Sequence, residues 1–341
     1  MSLSFHVGCL PNRPMVDSIE MGCAAEKLGY QGIWVADSHS VMRDAYTVLA
    51  ALATQTTSLE LATGVTLTGT RHPAVLANSW ASLDELSHGR AICGIGVGES
   101  AVYNLGMKPE RLAVFEEKVK VIKALLRGEK IHYQGTEIHM PWSNCEVPVI
   151  MASSGPKSLQ MAGRLADGVL FQVGAQPRLV DYALDNIRLG AESAGRKLSD
   201  LKLYMRIATS VHEDRTTAQQ ELKGYTAVAA GTVFKTVPRE YLDDAVYEDL
   251  TRFKAGYDYA EHGSNQSDHS DLLTDEIFSA VAVACPPEEA IARFSALAAR
   301  GLDGFVCPFG MPNPVPYMQT FAEQVMPAVI ESRGEAQGRR W

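Results

Sequence analysis

The chain is predicted to fold as a (β/α)8 barrel, on three observations. Eight short apolar runs are spread along its 341 residues. Amphipathic stretches with proline starts and glycine stops lie between many of them. One local plan, a helix end, a glycine turn and a buried strand, recurs in KLGYQGIWV (27–35) and ARGLDGFVC (299–307). Repetition of that plan is the mark of alternating strands and helices around a parallel sheet. Barrels of this class commonly reach the present length as one domain.

The strand candidates are 5–10, 32–36, 59–66, 91–97, 148–152, 168–172, 201–208 and 304–307. None alternates apolar with polar residues, as expected for strands covered on both faces. Helices are expected over 14–28, which follows Pro14 and ends before Gly29, and over 73–87, which opens at Pro73 and ends before Gly89. Further helices are expected over 110–127, over 156–166 from Pro156, and over 286–300 from Pro286–Pro287 to Gly301. Proline pre-sets the first helical turn, and glycine tolerates the left-handed stop. The rival architecture, an open doubly wound sheet, expects a glycine fingerprint after the first strand. The residues there read CLPNRP. Two excursions exceed what a barrel needs: 129–147, a hairpin turning at Gln134–Gly135, and 212–278, mostly helical. Within the latter, the polar stretch 262–271 is either a lid or a solvated connection. No linker suggests a second domain, so residues 1–341 are expected to form one.

Apolar residues make up 46% and charged residues 21%, a globular balance with ample material for a core. Acidic residues outnumber basic ones 40 to 31, a net charge of −9, which argues against nucleic-acid or anionic-membrane partners. No apolar run approaches the roughly 18 residues of a membrane span. The N-terminus lacks a basic, then apolar, leader, so a cytoplasmic location is expected. The cysteines at 9, 23, 93, 145, 285 and 307 form no C-x-x-C; buried reduced thiols are expected, with no metal site.

In a barrel, chemistry belongs at the C-terminal ends of the strands. After the second strand stand Asp37, Ser38 and His39, a carboxylate beside an imidazole that titrates near neutrality; a structural histidine is the plainer reading. After the third come Gly64, Val65 and Thr66. After the fourth, GIGVGES (94–100) places glycines and Glu99 at a strand end. Its glycines, Gly98 among them, suit close backbone approach to a flat ligand and Glu99 suits proton transfer, or the segment is a solvated glycine loop. After the fifth, Ser153, Ser154 and Gly155 lead into Pro156 and Lys157 at a helix start, which suits a phosphate or is an ordinary serine-capped turn. Gln172 and Gly174 close the sixth. Zincin, α/β-hydrolase and P-loop patterns do not occur.

The segments GIWVADS (32–38), ATGVTLTGTRHPAVLANSWASLDELSHGRAICGIGVGES (62–100) and PVIMASSGPKSLQMAGRLADGVLFQVG (148–174) resemble the luciferase-like flavin oxidoreductases, most specifically from RHP through GVGES. FHVGCLPN, GVGES and SSGPKS resemble the deazaflavin branch, which uses F420 and includes methylenetetrahydromethanopterin reductases. The resemblance implies a luciferase-type TIM barrel, a homodimer, and a flavin or deazaflavin at the strand mouths. It implies a non-proline cis peptide matching Gly64–Val65, and a phosphate turn at Ser154, Gly155, Pro156 and Lys157. It places Gln172, Val173 and Gly174 beside the cofactor, makes Glu99 a proton-transfer carboxylate, and matches Asp37 to an acidic residue of the site. Two positions depart from the branch: Ser38 stands where many relatives have His, with His39 following, and Gly8 stands where the reductases have Glu.

The leading expectation is therefore hydride transfer between F420 and a small organic substrate, with Ser38 or His39 orienting the substrate. The alternative is a monooxygenase using reduced FMN, oxygen and a separate flavin reductase. A non-catalytic relative with an eroded site, Gly8 and Ser38 being the erosion, is the third possibility. F420 carries a long tail needing an open groove, whereas FMN ends at its phosphate.

Overall fold

The computed structural model describes residues 3–98, 100–256 and 271–338. All eight apolar runs are strands of one sheet: β1 (Ser4–Cys9), β2 (Gly32–Val35), β3 (Glu60–Thr63, resuming as Thr66–Leu67), β4 (Ala91–Gly96), β5 (Val149–Ser153), β6 (Gly168–Phe171), β7 (Lys202–Arg206) and β8 (Gly304–Pro308). Their hydrogen-bonded order is β3-β2-β1-β8-β7-β6-β5-β4, and β3 also pairs with β4, so the sheet closes on itself as a parallel barrel. Strands such as β2, β4, β6 and β8 are buried at every position, which accounts for their unbroken apolar runs.

The expected helices form at Met15–Lys27, Pro73–Ser87, Leu112–Leu126, Pro156–Leu165 and Pro287–Ala298. Ala45–Gln55 and Pro177–Ser193 add two more. Ile131–Tyr133 pairs antiparallel with Thr136–Ile138, and the turn residues Gln134 and Gly135 both have positive φ, as a tight hairpin requires. The 212–278 excursion contains helices Arg215–Thr236 and Asp244–Ala255, and helix Asp275–Val281 follows within and just beyond it. Its polar stretch lies outside the described residues at 262–270. A short parallel ribbon, Ala208–Val211 with Ala282–Cys285, was not foreseen. Among the described residues no helix is long and apolar enough to cross a membrane.

The chain falls into two compact units. One holds Val7–Ala152 and Leu165–Gly168; the other holds the residues up to His6, Ser153–Arg164 and the described residues from Val169 onward. The first has Trp34 and Trp80 at its core, both fully buried or nearly so. The second is centred on an aromatic cluster. Phe5 of β1 stacks on Phe305 of β8 at 5.6 Å, and Phe294 and Phe321 from two helices meet Phe5 edge-on at 6.0 and 5.5 Å. Because strand side chains alternate, Phe5 and Phe305 define the helix-facing side here; His6 and Tyr204, with rings 5.2 Å apart, take the other. Burial holds His6 neutral by lowering its pKa to about 3. Cys9, Cys93, Cys285 and Cys307 are buried and unbonded, Cys23 and Cys145 partly so; burial pushes the Cys9 thiol up to about 11.

The recurring strand-entry plan has a physical task. Asp167 accepts the Val149 backbone N–H at 2.9 Å and the Lys123 ammonium at 2.7 Å; Asp303 accepts the Leu203 N–H at 2.8 Å. Each aspartate thus pins the start of one strand to its neighbour at the end of the barrel associated with stability. Arg90, just before β4, donates to the carbonyls of Ser87, Leu59, Ala53 and Thr56 and to the Thr56 hydroxyl. Several of these acceptors are the closing carbonyls of helices Ala45–Gln55 and Pro73–Ser87, so the arginine caps two helix ends at once.

Glu26 does the same for the loop entering β3. One carboxylate oxygen accepts the N–H groups of Thr57, Ser58 and Leu59 at 2.8, 2.6 and 3.1 Å, and the Ser58 hydroxyl at 2.9 Å. Burial would raise the Glu26 pKa, but these four donors outweigh it and hold it at about 2. The folded-state value lies below the ordinary 4.5, so the stabilisation is complete above pH 4.5 and is lost as pH falls through about 2. Glu26→Ala is expected to cost about 1 kcal/mol at neutral pH, because water reaches the vacated donors. In acid unfolding titrations, the gap between the two proteins should shrink below pH 4.5; a gap independent of pH would show that the carboxylate charge is not what stabilises the loop.

Candidate active site

In the first unit, β2 ends in a buried run that delivers Asp37 to its C-terminal end, where the side chain is 1% exposed. A carboxylate this deep requires partners. The Arg71 guanidinium binds both oxygens, Nη1 to Oδ2 at 2.5 Å and Nη2 to Oδ1 at 3.3 Å, and the Thr66 hydroxyl donates to Oδ2 at 2.7 Å. Arg71 lies over the Tyr46 ring, 5.0 Å from its centroid, and Tyr46 donates to Thr66 at 3.1 Å. Burial works against the Arg71 charge, but the bond and charge of Asp37 raise its pKa overall; burial pushes the Tyr46 phenol up. Asp44, whose side chain caps helix Ala45–Gln55 through the Thr47 N–H, stands 3.5 Å from Arg71.

His39 sits beside this group. Its Nδ1 is 3.5 Å from Asp37 Oδ1, too long for a good hydrogen bond, and its Nε2 is 3.0 Å from the Thr70 hydroxyl. Both Asp37 oxygens are therefore engaged by Arg71 and Thr66, whereas His39 is partly exposed. Ser38 is half-buried, and its carbonyl accepts the Met42 N–H at 2.9 Å, shaping the turn that brings His39 round. Arg71, Tyr46 and Thr70 were not singled out in the sequence. The signal was the proline after RH: His72 caps helix Pro73–Ser87 through the Ala74 N–H, which holds Arg71 at the strand mouth.

The Gly64–Val65 peptide is cis, and the Gly64 N–H donates to the Val35 carbonyl at 2.7 Å. The glycines of GIGVGES match β3 one for one. A Cβ at Gly94 would collide with the Thr63 carbonyl; one at Gly96 would lie 3.1 Å from Val65 Cγ2; one at Gly98 would lie 2.9 Å from the Leu67 side chain. These glycines make room for the broken third strand, where the sequence suggested room for a ligand. Glu99 lies outside the described residues.

In the second unit, Ser153 donates to the Ser158 carbonyl at 3.2 Å, Ser158 donates to the Gly155 carbonyl at 2.9 Å, and Tyr182 donates to the Ser154 carbonyl at 3.2 Å. These bonds fix the turn, while Pro156 and Lys157 are exposed and a Cβ at Gly155 would meet nothing closer than Ser158 Oγ at 3.9 Å. An open turn at a helix N-terminus with free N–H groups and an ammonium beside it can hold a phosphate. Gln172 accepts from Arg206 Nη1 at 2.8 Å. Val173 is fully buried. Gly174 adopts φ +105° where a Cβ would press on the Ala280 carbonyl. Among the described residues no cluster of metal-ligating side chains occurs.

A family model described as luciferase-like monooxygenase matches residues 6–304. The chain belongs to that family. As a luciferase-like protein it is an enzyme, an oxidoreductase. It is 30% identical over 303 residues to a 5,10-methylenetetrahydromethanopterin reductase of Methanolobus tindarius, covering 86% of this chain and 90% of the relative. It is 31% identical over 230 residues to an F420-dependent glucose-6-phosphate dehydrogenase of Nakamurella multipartita, covering 62% of this chain and 68% of the relative. The solved coenzyme F420 dependent tetrahydromethanopterin reductase of Methanopyrus kandleri superposes with a TM-score of 0.79 at 22% identity, over 96% of this chain and 99% of that one. That likeness speaks for the barrel of this luciferase-like chain.

Proposed function

We propose that the chain is an F420-dependent oxidoreductase acting on a small organic substrate. The observation that carries this reading is the 31% identity to an enzyme whose name states F420 dependence, alongside 30% identity to a methylenetetrahydromethanopterin reductase. The open Gly155 turn with exposed Lys157 fits the phosphate of such a cofactor. When bound, the deazaflavin supplies two-electron hydride transfer.

In this reading the N–H groups of Gly155 and Lys157 and the Lys157 ammonium hold the phosphate; Pro156 has no N–H to give. Ser153 and Ser154 shape that turn, and Gln172, Val173 and Gly174 border the cofactor. Gly64, Val65 and Thr66 support the ring, with Gly98 beside them. Asp37 and Ser38 flank His39, which orients the substrate from its place against the Thr70 hydroxyl. Glu99 relays the proton that accompanies hydride transfer. The protein works as a homodimer, which sedimentation would test.

Fluorescence titration with F420 and with FMN tests the reading. F420 is expected to bind at least about 10-fold more tightly, and Lys157→Met to weaken it about 10-fold, the value of one charge-assisted contact. Tighter binding of FMN would replace this reading with a reduced-flavin monooxygenase served by a separate reductase.

A further inference from the structure

One arginine in the second unit is held in place without being neutralised. Arg206 ends β7, opposite Val306 in the register with β8. It lies two residues beyond Tyr204 and so shares its side of the strand, the side turned away from the helix-facing phenylalanines. Its partners among the described residues are both neutral: the Gln172 side-chain carbonyl at 2.8 Å and the Tyr225 ring, with its centroid 5.8 Å from Cζ. Tyr225 is in turn seated by Gly310, where a Cβ would collide with the ring. In contrast, Arg71, Arg178, Arg215 and Arg300 each pair with a carboxylate. An acidic chain that leaves a half-buried guanidinium at a strand mouth without an acid leaves most of its donors for something else.

We propose that Arg206 recognises an anionic group on the substrate, a carboxylate or a phosphate monoester. The guanidinium fork matches either group with two parallel hydrogen bonds. Gln172 and Tyr225 orient the fork: one donor is tied to an amide carbonyl, and one face rests on an aromatic ring. Placement at a C-terminal strand end puts it where barrel enzymes gather their substrate contacts. The inference rests on the oxidoreductase reading for the meaning of "substrate", but not for the anion site itself.

The test is protection of Arg206 from phenylglyoxal, followed by peptide mass spectrometry on the whole protein, with exposed Arg111 as internal standard. Acetate and inorganic phosphate are the probes, and the difference between them separates carboxylate from phosphate recognition. Either probe is expected to slow modification of Arg206 several-fold relative to Arg111, and to do so equally in Lys157→Met. No protection, no modification of Arg206 at all, or protection that disappears in Lys157→Met would each overturn the proposal; the last would place the anion in the Ser153–Lys157 turn. F420 titration of the same preparation keeps the two readings apart. Protection without F420 binding retains the anion site and removes the deazaflavin reading, and F420 binding without protection does the reverse.

Discussion

Arg71→Ala is expected to lower the unfolding free energy by about 3–5 kcal/mol, the usual consequence of removing one partner from a buried ion pair. Asp37 is the reason. Its side chain is 1% exposed, and without Arg71 it keeps only the Thr66 hydroxyl at 2.7 Å and the more distant His39. The low polarity that makes the bidentate pair effective makes the orphaned carboxylate costly. Asp37→Asn should cost less, because it removes the charge and keeps an acceptor for Thr66. The double variant should be milder than the sum of the two, since the pair acts as one unit. Urea unfolding of the four proteins measures this. A loss below about 1 kcal/mol for Arg71→Ala would mean that water already reaches the pair and that it behaves like a surface contact.

The second large effect is expected at Gly94→Ala. The added methyl would overlap the Thr63 carbonyl oxygen and lie 2.9 Å from Trp34 Cζ3. Both obstacles are rigid: one is backbone of the adjacent strand, itself tied by the Thr63 hydroxyl to the Gly94 carbonyl, and the other is a buried indole. A cost of ~3 kcal/mol, the upper end for overpacking, is expected. Because Thr63 directly precedes Gly64–Val65, F420 affinity should fall as well. Gly155→Ala is the contrasting substitution. Its methyl meets open space, so stability should change by less than about 0.5 kcal/mol, while F420 binding weakens where the phosphate would approach. Thermal unfolding and fluorescence titration separate the two outcomes; equal stability losses at both positions would refute the packing argument.

These contrasts show where reading the chain alone succeeds. Every barrel strand was legible, because a strand buried on both faces must be an apolar run, and the runs are separated by proline starts and glycine stops. The hairpin at Gln134–Gly135 was legible for the same local reason. Helix Pro177–Ser193 carried signals that went unused: Pro177, then Leu179, Tyr182, Ala183 and Ile187 on one face. Helix Ala45–Gln55 is apolar nearly throughout, so its period is faint. The ribbon joining 208–211 to 282–285 pairs segments about 70 residues apart, and nothing local announces it.

The candidate site divides along the same line. The sequence by itself determined which strand ends carry polar groups, because each apolar run gives way to polar residues at its C-terminal end; Asp37, Ser153 and Gln172 follow from that. Only the tertiary structure decided what those groups do. It gave Asp37 to Arg71, 34 residues away, so that the carboxylate beside His39 is engaged by a guanidinium. It gave the glycines of GIGVGES to the broken third strand. It left Arg206 with an amide and a ring in place of an acid. Propensity and hydrophobic period act over neighbouring residues, whereas partnership between charged side chains is settled by which strands the closed sheet brings side by side.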